Sequence, residues 1–197
     1  MLNGTRSIIK LPKLVLASGS PRRAEILQSV GWEFDTDIPN INESELAGES
    51  PAGYVQRLAK TKAETIAERH AGEIVLGADT TVVIDKQIIG KPLDLDDAKR
   101  MLKMLSGNWH EVLTGVAIVN NGKTQVGIQN TRVKFSEMNN VEIDFLAEKG
   151  DPLDKAGAYA VQAQAALFIE GIEGDYWNVV GLPISLLYRF VKNTTSE

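Results

Sequence analysis

Cysteine is absent from all 197 residues, which excludes disulfides, thiolate metal ligands and a thiol nucleophile. Histidine is nearly absent as well: His70 and His110 are too few for a multi-histidine zinc centre. A basic surplus is also missing. With 21 Lys and Arg against 26 Asp and Glu, the net charge is −5, so no nucleic-acid partner is expected. Any anion must therefore be met by positive charge gathered locally. No apolar run approaches the roughly 20 residues of a membrane span, so no membrane is expected either. Residues 1–10 are too short and too polar for a secretory signal and read as a frayed extension. Cytoplasm is the expected compartment. With 43% hydrophobic and 24% charged residues, residues 11–197 have the balance of one ordinary globular domain.

Strand and helix signals alternate along that domain. Residues 13–18 form a short apolar run ending at Gly19, as a buried strand would. Ser20-Pro21 supplies a helix start and Gly31 a stop, and Ser50-Pro51 repeats the start for a longer helix to about His70. Residues 73–85, rich in Ile, Val and Thr, predict a strand interrupted by Gly77, with Ile88-Ile89 returning as a hairpin. Residues 94–105 have helical spacing and stop at Gly107. Residues 112–119 and 123–135 flank Asn120-Asn121-Gly122, the clearest hairpin signal in the chain. A helix is expected from Ser136 to Gly150, with Val141, Phe145 and Leu146 as its apolar positions. Residues 165–172 and 176–180 read as strands, and residues 183–192 as the last helix. The fold class is α/β, with a mixed, partly antiparallel sheet flanked by helices.

Several residues break the pattern around them, as functional residues often do. Arg22 and Arg23 occupy the first turn of a helix, where the macrodipole disfavours cations. They are either two solvated arginines or part of a phosphate cradle built on free helix N–H groups. Lys62 falls within the apolar stripe Val55, Leu58, Ala59, Ile66, and either snorkels out or meets a phosphate in a cleft. Asp79 interrupts a run that should be buried, so it needs a cation, a metal or hydrogen-bond donors. Thr80 and Thr81 would supply donors to a structural Asp; the glycine beside the acid favours a carboxylate presented in a cleft. Lys91 is held between Gly90 and Pro92 on a rigid loop. Glu43, Asp154-Lys155 and Gln162 carry little signal alone.

Together these segments resemble the Maf family of nucleoside triphosphate pyrophosphatases, named for septum formation. The shared blocks are Ala17-Ser18-Gly19-Ser20-Pro21-Arg22-Arg23, Gly77-Ala78-Asp79-Thr80, Gly90-Lys91-Pro92 and Ser106-Gly107. Asp154-Lys155-Ala156-Gly157-Ala158-Tyr159, Gln162 and Asn178-Val179-Val180-Gly181-Leu182-Pro183 complete the set. One departure is Ala163, where the family usually has glycine after the glutamine. The resemblance implies a two-lobed fold with a central cleft, similar to the inosine triphosphate pyrophosphatases, and a homodimer. It also implies that Ser18, Arg22, Arg23, Lys62 and Lys91 hold the triphosphate. Glu43 and Asp79 would serve a Mg²⁺ or Mn²⁺ ion and the attacking water, with Asp79 as the base. A triphosphate carries about four negative charges that must be neutralised for attack at the α-phosphorus, which is the physical need these residues meet.

Three positions indicate the branch of the family. The branch acting on 7-methyl-guanosine triphosphate has tryptophan, glutamine and glutamate where this chain has Arg22, Thr80 and Gln162. A glutamine amide both donates and accepts, matching the carbonyl and N3–H of uracil or thymine, whereas a glutamate only accepts. The resemblance therefore implies hydrolysis of dTTP and UTP, with modified pyrimidine nucleotides as further substrates. The alternative is a nucleotide-binding regulator of septum formation with little catalysis.

Overall fold

A computed structural model describes residue 9 and residues 11–194 of the chain. The frayed extension expected for residues 1–10 thus lies, apart from residue 9, outside the described residues. The Leu-Val-Leu-Ala run forms strand β1 (Leu14–Ala17), all four residues buried. Pro21 then starts α1 (Pro21–Ser29), and Gly31 leaves it with a positive φ of 69° that favours glycine. The second Ser-Pro start is a true cap: the Ser50 hydroxyl accepts from Gly53 N, and α2 runs from Pro51 to Ala67.

The seven-stranded sheet has the order β2-β1-β3-β5-β6-β7, with β4 paired to β3 off that path. Its members are β2 (Phe34–Thr36), β3 (Ile74–Ile84), β4 (Gln87–Ile89), β5 (Trp109–Asn120), β6 (Lys123–Phe135) and β7 (Ile169–Glu173). β1 pairs in parallel with β2 and β3, and the remaining pairs are antiparallel. The β5–β6 hairpin closes through Asn121 and Gly122, both with positive φ, as the Asn-Gly turn requires. No helix among the described residues is long and apolar enough to cross a membrane.

Alternation along β1 and β3 divides the core. Leu14, Leu16, Leu76, Ala78, Val82 and Ile84 face one way, toward α1 and the helices α3 (Leu95–Leu105), α4 (Asn140–Lys149) and α6 (Ile184–Thr194). Val15, Ala17 and Val75 face the other way, against Ala59, Ala63 and Ile66 of α2. α2 sits unusually close to the sheet. A Cβ on Gly77 would lie 2.2 Å from the Ala59 carbonyl oxygen, and one on Gly115 would lie 2.2 Å from that of Val55. The sequence reading of Gly77 as an interruption of β3 is thus corrected: it lets a helix backbone rest on an unbroken strand.

Three other expectations change. Residues 176–180 form a helix, α5 (Tyr176–Val180), because the Asp175 carboxylate accepts from both Trp177 N and Asn178 N. That cap outweighs the β propensity of Val179 and Val180. Residues 164–167 form a 3₁₀ turn, and only Ile169–Glu173 of that run pairs as a strand. α4 buries Ile143, Leu146 and Ala147, leaving Val141 76% exposed and Phe145 39% exposed. Its start is set by a capping box between Asn139 and Glu142 rather than by Ser136.

Candidate active site

β3 carries β5 along the whole of one edge, from Val75 to Val83. On its other edge β1 ends opposite Gly77, and β4 begins only opposite Val82. The backbone between is open on that side, and the carboxyl end of β1 diverges from it. α1 and α2 lie on opposite faces of the sheet, so this gap is the kind of crevice where open α/β sheets bind ligands. A cavity of about 520 Å³ occupies it, lined by Ser18, Arg22, Arg23, Glu43, Lys62, Asp79, Thr80, Lys91 and Gln162 among others. All nine residues singled out from the sequence thus share one cavity.

The open edge exposes both faces of β3 to that cavity. Asp79 points to the α2 side, where its Oδ1 lies 2.6 Å from Lys62 Nζ. Glu43 Oε1 lies 2.8 Å from the same ammonium. Lys62 is buried and does not snorkel; it is shared by two carboxylates. Burial pushes the Asp79 carboxyl above its ordinary range, although Lys62 and Arg23 pull it down. Burial acts on Glu43 in the same sense, but Lys62, Lys91 and Arg23 overcome it, leaving its carboxyl below the usual range.

Thr80 points to the opposite face, and there Arg23 meets it. The Arg23 guanidinium donates to the Gly181 carbonyl at 2.9 Å, to Ser18 Oγ at 3.0 Å and to Thr80 Oγ1 at 3.1 Å. Arg23 is therefore buried and partnered, not a solvated arginine. Its partners are all neutral, however, so its charge remains available, and three of its five N–H groups are used. Burial, and to a smaller extent the neighbouring Arg22, disfavour that charge and lower its pKa, although Asp79 and Glu43 oppose them. Arg22 pairs with Asp154 at 2.9 Å across the cavity mouth. Lys91 is exposed and has no ion-pair partner among the described residues. Its loop is pinned by a bond from Gly157 N to the Gly90 carbonyl, 3.0 Å.

The cavity lining holds five cations (Arg22, Arg23, Lys62, Lys91, Lys155) and three carboxylates (Glu43, Asp79, Asp154). The local sign is positive on a protein whose net charge is −5. Ser20 makes no side-chain cap on α1; Ser18 Oγ accepts from Ser20 N at 3.2 Å instead. The start of α1 thus faces the cavity with its dipole unopposed by an acid. Val82, Val112, Tyr159, Ala160 and Val161 give the lining an apolar part, to which exposed Gln162 adds an amide. Ala163 has φ −116°, outside the left-handed region that favours glycine, so its φ does not demand glycine after Gln162.

Sequence reasoning missed Thr114, fully buried, whose hydroxyl joins Thr80 Oγ1 at 3.0 Å and donates to the Asn178 carbonyl at 3.2 Å. A threonine in a β-rich run carries no signal of its own. It also left Asp154 and Lys155 as weak loop charges, whereas Asp154 pairs with both Lys155 and Arg22 in the lining. Trp32 is buried, Trp109 is exposed with Arg132 over its ring, and none of the three tryptophans lines the cavity.

Among the described residues no three acidic or imidazole side chains gather as a metal site. The donor chemistry of Glu43 and Asp79 nevertheless fits Mg²⁺ or Mn²⁺: two oxygen donors converge on one cation, and substrate phosphates with water ordinarily supply the other ligands of such ions.

The "dTTP/UTP pyrophosphatase" of Symbiobacterium thermophilum is 47% identical over 94% of this chain and 94% of its own. That of Hahella chejuensis is 49% identical over 87% of each chain. The structure of the Staphylococcus aureus Ham1 protein covers 92% of this chain and 99% of its own, at 14% identity and a TM-score of 0.53. That likeness speaks for the α/β fold alone. Residues 13–194 match the family described as Maf-like protein, and the chain belongs to the Maf family.

Proposed function

We propose that the chain hydrolyses dTTP and UTP to the nucleoside monophosphate and pyrophosphate. Its curated relatives bear the name of that activity. The observation that carries the reading is the Glu43–Lys62–Asp79 cluster inside a cavity with excess positive charge and an apolar wall beside Gln162. Asp79 is the base: burial raises its proton affinity, and it removes a proton from the attacking water. Lys62 and Arg23 stabilise charge on the α-phosphoryl oxygens, and Arg22 and Lys91 hold the departing pyrophosphate. A Mg²⁺ or Mn²⁺ ion held by Glu43 and Asp79 would neutralise phosphate charge when bound. The Gln162 amide selects the pyrimidine edge, and Thr80, held by Arg23 and Thr114, keeps the adjoining wall in place.

The substrates are cytoplasmic metabolites, and we propose that compartment; a homodimer, implied by the family resemblance, belongs to the same proposal. Modified pyrimidine triphosphates fit the same amide and are expected as secondary substrates. The test is a nucleotide panel measuring pyrophosphate release with Mg²⁺, with Mn²⁺ and with chelator. dTTP and UTP should lead the panel and fall to background with chelator. Nucleotide binding without turnover would support the septum-regulator reading instead.

A further inference from the structure

Glu43 lies in residues 37–50, a stretch without helix or strand between β2 and α2. A carboxylate on such a stretch has no regular backbone to aim it, yet it meets Lys62 at 2.8 Å. α2 supplies the constraint. Tyr54 Oη donates to the Glu43 carbonyl at 3.0 Å, and Arg57 Nη2 donates to the Ser44 carbonyl at 3.0 Å. Two consecutive carbonyls are thus gripped from one helix, while Lys62 of the same helix takes the side chain. Arg57 is itself fixed by a two-pronged contact with Glu49, 2.7 Å at both Nε and Nη2. Glu49 Oε2 also accepts from Leu46 N at 3.2 Å, which ties the far end of the stretch. The Arg57 guanidinium stands 5.6 Å from the Tyr54 ring centre.

We infer that Tyr54 and Arg57 are positioning residues that aim the Glu43 carboxylate at the polyphosphate and its cation. The inference rests on the proposed activity and on Glu43 serving that site. Partners that orient a cation-binding carboxylate without touching the cation are worth about tenfold to a hundredfold in affinity or activity. Arg57 can exert that effect because its fork is planar and two-pronged; lysine offers a single point charge.

The experiment compares wild type with Arg57→Ala, Arg57→Lys, Tyr54→Phe, Glu43→Gln and the double variant Arg57→Ala/Glu43→Gln. Two quantities are read: kcat/KM for dTTP, and Mn²⁺ affinity by electron paramagnetic resonance with α,β-methylene-dTTP present. Arg57→Ala should lower both by about tenfold or more, and should add little once Glu43 is already Gln. Arg57→Lys should recover only part of the loss. Tyr54→Phe keeps the ring and loses one hydroxyl, so it serves if Arg57→Ala fails to fold; it should lower Mn²⁺ affinity in the same direction. Losses that multiply in the double variant would overturn the inference, since Arg57 would then act elsewhere. Mn²⁺ affinity unchanged in Glu43→Gln would overturn it too. A wild type that releases no pyrophosphate refutes the activity instead, and the Mn²⁺ measurement still decides the positioning role.

Discussion

At the scale of the residue, the proposed reaction concentrates its chemistry on Asp79. Asp79→Asn should lower kcat by roughly 10²–10⁴-fold, the usual weight of a general base. The melting temperature should stay near that of wild type, because Lys62 keeps Glu43 as a partner. Steady-state kinetics at saturating metal check this, and substantial retained kcat would remove Asp79 from the role. Asp79 and Lys62 were legible in the sequence because each breaks an apolar pattern. That they meet each other was not, since their 17-residue separation joins a helix to a strand through tertiary packing. Glu43 was visible through family resemblance alone; an acidic loop is too common to stand out. Arg23 and Lys91 looked alike in sequence and differ in structure. Arg23→Ala strands the acceptors at Ser18, Thr80 and Gly181, at a cost of about 1–3 kcal/mol, so it should lose several degrees of melting temperature as well as activity. Lys91→Ala should raise KM with the melting temperature unchanged. Equal stability losses in the two variants would contradict this difference.

At the scale of the element, the seat of α2 on Gly77 and Gly115 matters most. It brings Lys62, Tyr54 and Arg57 to the site together. A methyl group at Gly115 would meet the Val55 carbonyl oxygen at 2.2 Å, and a backbone group cannot swing aside. Gly115→Ala should therefore cost about 1–3 kcal/mol in urea unfolding and lower activity in the folded fraction, since α2 must shift. Unchanged stability would show that the helix has room. Most elements were legible: the Ser-Pro starts, the Asn-Gly hairpin and the alternation of β3 rest on local rules. The misreadings share a cause. Gly77 was read as a break because a sequence does not show the helix lying above it. Residues 176–180 were read as a strand because one Asp175 cap outweighs two β-branched residues. β2 was missed because three residues paired at the sheet edge carry almost no pattern.

At the scale of the molecule, an acidic chain builds a positive cleft where β1 parts from β3, with the Asp79 carboxylate and the Arg23 guanidinium reached from opposite faces of one strand. The strand order that creates the cleft was not legible, since local patterns do not say which strands become neighbours. The proposed chemistry is water attack at the α-phosphorus with pyrophosphate leaving. Turnover of dTTP and UTP in ¹⁸O-enriched water, followed by mass spectrometry of both products, tests it most directly. The proposed function predicts one ¹⁸O atom in the nucleoside monophosphate and unlabelled pyrophosphate. Label in the pyrophosphate, or release of orthophosphate with a nucleoside diphosphate, would contradict it.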